Sequence, residues 1–197
     1  FLSMAATIEK PNKGSNCLDR FTCHNPTKAI YGKDTIPLIG KEIFSRGFSK
    51  ILLLAGGGSI RSNGCYQQVV DSLSSNGVSW VEVWGVVANP VLSKVREAIT
   101  LAREQKCEAI LGVGGGSVID SSKAVAAGFY MDDVWEAFEH VQDEEKGCKI
   151  PNNLPIFAVL TLSATGTEMN KGCVVTNVEL RKKWPLFVDY PVVSIID

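Results

Sequence analysis

The clearest order in this chain is a recurring switch between short, continuous apolar runs and segments whose apolar residues return every three or four positions. Lys50-Ile51-Leu52-Leu53-Leu54-Ala55 is a run of the first kind, bounded by Gly56-Gly57-Gly58-Ser59, and predicts a strand buried on both faces. From Asn63 to Asn76 the residues Cys65, Tyr66, Val69, Val70 and Leu73 follow a helical spacing that stops at Asn76-Gly77. Trp80-Val81-Glu82-Val83-Trp84 reads as the next strand. Pro90 then opens a second helix, with Val91, Leu92, Val95, Ala98, Ile99 and Ala102 on one face and an end near Gln105. Ala109-Ile110-Leu111-Gly112-Val113 is a strand that again runs into glycines, Gly114-Gly115-Gly116-Ser117, and a helix from Val118 to Gly128 leaves that turn directly.

Strands that alternate with helices in this way predict an α/β fold, a Rossmann-like doubly wound parallel sheet with right-handed crossovers. Ile156-Phe157-Ala158-Val159-Leu160 supplies a further strand, and Val174-Val175 and Val192 to Ile196 give short later ones. Residues 1–24 are polar and irregular, with Pro11, Gly14 and Asn16 interrupting any period, so they read as a leader or edge extension to a domain over 25–197. Met131 to Lys149 gathers Asp132, Asp133, Glu136, Glu139, Asp143, Glu144 and Glu145, which predicts a solvated helix and loop rather than paired-carboxylate chemistry.

Composition narrows the function classes. With 197 residues, 45% of them apolar, the chain is long enough for a real core. Twenty Lys plus Arg against 21 Asp plus Glu leave a net charge of -1, so no nucleic-acid partner is expected, while a small anionic ligand stays open. No apolar run approaches the roughly 20 residues of a membrane helix, and no membrane association is expected. Cys17, Cys23, Cys65, Cys107, Cys148 and Cys173 form no CxxC pair and read as reduced thiols. Phe1-Leu2-Ser3-Met4 has no basic or long apolar stretch of a secretory signal, which points to a cytoplasmic protein with Met4 as a candidate initiator. The last residues, Ser194-Ile195-Ile196-Asp197, follow an apolar run with no closing turn, and the expectation is a cut inside a longer protein.

The glycine turns carry the candidate chemistry. Glycines at the end of a parallel strand leave the backbone free of Cβ atoms, so N–H groups at the first turn of the next helix can approach a phosphate, aided by the helix dipole. In Gly114-Gly115-Gly116-Ser117-Val118-Ile119-Asp120, Ser117 can cap the helix or donate its hydroxyl to the same phosphate. Gly56-Gly57-Gly58-Ser59, followed by Arg61, repeats the device, and two such crevices suit an extended ligand such as a dinucleotide. Neither run fits the GxGxxG fingerprint, because Arg61 and Ser117 stand where its third glycine would be. No acid stands beside the first turn to hold a ribose 2′-hydroxyl, which favours NADP over NAD. Thr161, Thr165 and Thr167, around Gly166, form a third ligand-like loop of hydroxyls.

Asn25-Pro26-Thr27-Lys28 with Tyr31-Gly32-Lys33, then Gly56-Gly57-Gly58-Ser59, Asn89-Pro90, Gly114 to Asp120 and Thr161 to Asn170 resemble, in order and spacing, the amino-terminal half of iron-containing (group III) alcohol dehydrogenases. The butanol dehydrogenase and NADPH-dependent aldehyde reductase branch is the most similar, and the resemblance covers residues 21–197. It implies a cofactor-binding half of an enzyme that moves hydride between NAD(P)H and a small alcohol or aldehyde, homodimeric when whole and inactive as this half alone. By the resemblance, Gly57, Gly58 and Ser59 lie by the adenosine ribose and its 2′-phosphate, with Arg61 and Asn89 also at the cofactor. Gly115, Gly116 and Ser117 would bind the pyrophosphate and Asp120 the nicotinamide end, while Thr161, Thr165, Asn170 and Lys183 would flank the pyrophosphate and nicotinamide ribose. The family's Fe²⁺ or Zn²⁺ ligands, an Asp and three His, lie in a helical domain beyond the strand that ends at Asp197, so this chain would contribute none. His24 and His140 read as surface histidines. Ser163 departs from the family, whose members usually have proline in this loop. A glycerol dehydrogenase or dehydroquinate synthase relative, and a non-catalytic nucleotide-binding module, are the alternatives.

Overall fold

A computed structural model describes residues 24–141 and 150–197. The extension over residues 1–23, the end of the acidic stretch with Asp143, Glu144 and Glu145, and Cys17, Cys23 and Cys148 lie outside the described residues.

The central element is a six-stranded sheet of β1 (Lys28–Tyr31), β2 (Lys50–Ala55), β3 (Ser79–Val83), β4 (Ala109–Gly115), β5 (Ile156–Leu162) and β8 (Val193–Ile196), in the spatial order β1-β8-β5-β4-β2-β3. Every pairing in it is parallel, as the apolar runs predict. Residue parity decides which side of the sheet each side chain serves. Ile51 and Leu53 pack with α1 (Ile39–Phe44) and α3 (Cys65–Ser75) on one face. Leu52 and Leu54 pack on the other with α4 (Leu92–Glu104), α5 (Gly116–Gly128) and α6 (Val134–Val141). The sheet is therefore doubly wound, and β5 and β4, both largely buried, form its centre.

The structure adds β1, α1 and a strand over Lys182–Phe187, which periodicity does not reveal, and it places the strand predicted at Val174-Val175 outside the main sheet. β1 and α1 fall between Asn25 and Ser45, where Pro37 starts a 3-10 turn (Ile36–Leu38) and Gly40 interrupts the helical spacing. β6 (Gly172–Asn177) leaves the main sheet and forms an antiparallel hairpin with β7 (Lys182–Phe187), in which Pro185 pairs with Val174. Proline cannot donate to a ladder and suits such a two-stranded edge. Trp135 of α6 stacks on Trp184 of β7 with ring centroids 5.2 Å apart, which fastens the hairpin to the helical layer. α6 is thus amphipathic rather than merely solvated, with Trp135 and Phe138 buried. Pro90 stays outside α4, its carbonyl accepting the Thr176 N–H at 2.7 Å, and α5 starts at Gly116, two residues before the predicted start. Among the described residues, no helix is long and apolar enough to cross a membrane.

Candidate functional site

The chain runs from β2 to β3 on one side and then crosses to β4 on the other, so the direction of winding reverses between β2 and β4. Such a switch point opens a crevice at the carboxyl ends of the strands. Leu54 pairs with Gly112 and Ala55 with Val113, so both glycine turns begin side by side at that crevice.

In the first turn Gly58 has φ +116°, a conformation suited to glycine, and leads into α2 (Ser59–Ser62). A Cβ at Gly57 would meet no heavy atom within 4 Å, so space stands open above the turn. Ser59 and Arg61 are exposed there. The Arg61 guanidinium lies 4.0 Å from the Trp84 ring centroid and 5.3 Å from that of Tyr66. Beneath this stack, Glu82 accepts hydrogen bonds from Tyr66 Oη at 2.6 Å, Trp80 Nε1 at 2.8 Å and Trp84 Nε1 at 2.6 Å. Burial pushes the Glu82 carboxyl up, but these donors and the Arg61 charge outweigh it and hold the group below its ordinary value.

The second turn is built for close approach. Its register shifts between Gly114 and Gly115, which pair with Leu160 and Leu162, leaving Thr161 as the extra residue of a bulge. A Cβ on Gly116 would sit 2.6 Å from Thr165 Oγ1, so only glycine lets the Thr161–Thr165 segment close onto the first turn of α5. Gly115 takes the N-cap position, and Ser117 lies inside the first turn with its hydroxyl making no capping bond. Of the two roles predicted for Ser117, the capping one is not seen, because Gly115 and not Ser117 stands at the N-cap.

One turn further along α5, Asp120 and Lys123 face the loop that follows β5. Asp120 accepts the Thr167 hydroxyl at 2.6 Å and the Val174 N–H at 3.1 Å. Burial raises its pKa, and those two bonds and the charges of Lys123 and Lys183 oppose the rise. Lys123 is 0% exposed. Burial pulls its ammonium down to about 8 against the carboxylates of Asp120 and Glu168, so it remains a cation at neutral pH. Asn170, exposed, closes its amide on its own loop, donating to Gly166 O at 2.9 Å and accepting from Gly172 N–H at 2.8 Å. Lys183, from β7, donates to Asn89 Oδ1 at 2.6 Å across 94 positions of sequence.

The predicted residues therefore fall in three groups: Gly57, Gly58, Ser59 and Arg61 at the first turn, Gly115 to Asp120 with Thr161, Thr165 and Asn170 at the second, adjacent one, and Asn89 with Lys183 where the hairpin meets the segment after β3. The expectation that no acid stands beside the first turn is corrected by Glu82, which β3 brings under Arg61. Sequence reading passes over both Glu82 and Lys123. The alternation Trp80, Glu82, Trp84 carries a signal for the first, because period two puts all three on one side of β3. Lys123 carries a weaker one, three positions after Asp120 on a helix. Among the described residues no group of three or more His, Cys, Asp or Glu side chains could hold a metal ion.

The sequence profile of the family described as iron-containing alcohol dehydrogenase matches residues 26–197. NADH-dependent butanol dehydrogenase A of Clostridium acetobutylicum is 43% identical over 159 residues, 80% of this chain and 39% of that protein. The NADPH-dependent aldehyde reductase of Escherichia coli is 35% identical, over 81% of this chain and 40% of its own. The crystal structure of NADH-dependent butanol dehydrogenase A from Thermotoga maritima superposes with a TM-score of 0.84 at 55% identity, over 91% of this chain and 44% of that one. The chain thus spans less than half the length of these relatives. A family profile matched from Pro26 to the last residue, together with the paired glycine turns at the switch point, places the chain in the iron-containing alcohol dehydrogenase family.

Proposed function

We propose that this chain is the cofactor-binding half of a metal-dependent alcohol dehydrogenase or aldehyde reductase that moves hydride between NAD(P)H and a small alcohol or aldehyde. The observation that carries the reading is the pair of glycine turns at adjacent strand ends across the topological switch point. In this reading the N–H groups at the start of α5 hold the pyrophosphate, with Ser117 and Thr165 supplying hydroxyls. Asp120, fixed by Thr167 and Val174, stands at the nicotinamide end, and the nicotinamide supplies the hydride when bound. The names of the relatives support the butanol dehydrogenase and aldehyde reductase branch over a glycerol dehydrogenase one.

The reading prefers NADPH. Arg61 lies over the Trp84 ring beside the first turn, where a 2′-phosphate needs a cation, and the nearby acid Glu82 already accepts three donors. Relatives named as NADH-dependent support NADH as the second reading. Parallel titrations of the 197-residue chain with NADPH and NADH, followed by nicotinamide fluorescence, test both. The expected result is saturable binding with NADPH preferred and no steady aldehyde-dependent NADPH consumption. Arg61→Ala should weaken NADPH about tenfold and leave NADH within about twofold, as for one lost charge-assisted contact. Equal losses for both cofactors would reject the role given to Arg61.

A further inference from the structure

Lys123 is the largest fully buried side chain of a charged type in the described core, and it sits beneath the loop that the proposed function makes a ligand loop. Its Nζ donates to Thr167 O at 2.6 Å, Asn170 O at 2.7 Å, Gly172 O at 2.8 Å, Thr167 Oγ1 at 2.8 Å and Asn170 Oδ1 at 3.2 Å. An ammonium has only three protons. Five oxygens converging on one nitrogen exceed what a lysine needs for satisfaction and form instead a small coordination cage. Its distances suit a monovalent ion of ammonium size, four of the five being longer than the roughly 2.3–2.6 Å that calcium demands.

The cage has a directional consequence. Because the ammonium only donates, it takes the lone pairs of the Thr167 hydroxyl, and the proton of that hydroxyl points to Asp120 Oδ1 at 2.6 Å. The Val174 N–H fixes the other oxygen of the carboxylate at 3.1 Å. The same cation draws the carbonyls of residues 167, 170 and 172 toward one point. It thereby holds in place the loop that carries Asn170 and whose Thr167 methyl group would be 3.6 Å from a Cβ at Gly116.

We propose that Lys123 is a positioning residue, a built-in monovalent cation whose five-oxygen cage sets the 166–172 loop and aims Asp120, so that removing the side chain leaves a site for a free ammonium or potassium ion. The effect on cofactor binding rests on the dinucleotide reading; the cage does not, and the test separates them.

The experiment compares wild type, Lys123→Ala and Lys123→Met in ammonium, potassium and tetramethylammonium chloride, reading thermal unfolding and, separately, NADPH affinity. Lys123→Ala in tetramethylammonium should melt lower and bind NADPH at least about tenfold more weakly, given the several charge-assisted bonds lost. Ammonium or potassium at up to about 100 mM should raise its Tm saturably, as a ligand of the folded state does, and return the affinity to within about threefold of wild type. The same salts should leave wild type and Lys123→Met unchanged, because a side chain fills the cage in both. If Lys123→Ala does not fold, refolding yield with and without ammonium takes the place of Tm. A Lys123→Ala protein whose Tm, affinity or yield is no better in ammonium or potassium than in tetramethylammonium overturns the cage. Lys123→Met equal to wild type in Tm and affinity overturns the role of the charge. Cation rescue of stability in a protein whose wild type binds neither NADPH nor NADH overturns the nucleotide reading and leaves the cage standing.

Discussion

An alanine at Gly57 would place its Cβ in open space, whereas one at Gly116 would drive into Thr165 Oγ1 at 2.6 Å. The two glycines therefore serve different purposes, and substitution separates them. Gly57→Ala should leave the melting temperature close to wild type, a change within about 0.5 kcal/mol, because nothing in the protein occupies that space. It should nevertheless weaken dinucleotide binding about tenfold, since the added methyl stands where the ligand backbone would approach. Gly116→Ala should cost both stability, by about 1–3 kcal/mol of overpacking, and binding. Calorimetry of both variants beside fluorescence titration checks this, and equal behaviour of the two would refute the division. Both turns are legible in the sequence because each glycine run closes a continuous apolar strand and leads into a helical segment. The oxygens around Lys123 are not, since three of them are backbone carbonyls whose convergence depends on how the chain folds between Thr167 and Gly172.

Among elements, β2, β4 and β5 are readable because strands buried on both faces must be apolar at every position, and α3 and α4 because their apolar stripes repeat at helical spacing. β1 at the sheet edge and the β6–β7 hairpin lack that constraint: β1 has no fully buried residue, and β7 begins with two lysines. Their position comes from partners far away in sequence. β1 and α1 are joined by Glu42, which takes Lys28 Nζ at 2.6 Å and Arg46 Nη1 at 2.7 Å. Burial raises the Glu42 pKa, but the two cations outweigh it and leave it below 4.5. A carboxylate with a depressed folded pKa contributes stability above its unfolded value and loses it as the pH falls through the folded one. Glu42→Gln should thus destabilise the chain by about 0.5–1 kcal/mol at neutral pH, the partial exposure of both cations keeping the effect small. Denaturant titrations should show the difference from wild type closing as the pH drops below 4.5. A gap that stays constant into strong acid would show that the ion pairs are not its source.

At the scale of the molecule, a doubly wound sheet offers a ligand one privileged place, the carboxyl-end crevice where the winding reverses. Here that crevice receives the two glycine turns and the bulge at Thr161, with Asp120 one turn along α5 and Lys123 buried beneath the loop that follows β5. Lys183 is carried by β7, which its pairing with β6 and the Trp135–Trp184 stack on α6 hold in place. The family resemblance, read from motif order, names Lys183 as a cofactor residue, whereas periodicity alone does not find the strand that bears it. The most direct test of the central claim is amide NMR of the isotopically labelled 197-residue chain during titration with NADPH. The account predicts saturable shifts concentrated at residues 56–61, 115–120 and 161–170. Shifts centred elsewhere, as at the shallow groove of Arg96, Arg103 and Asp133, or no response up to about 1 mM, the weak end of specific binding, would contradict it.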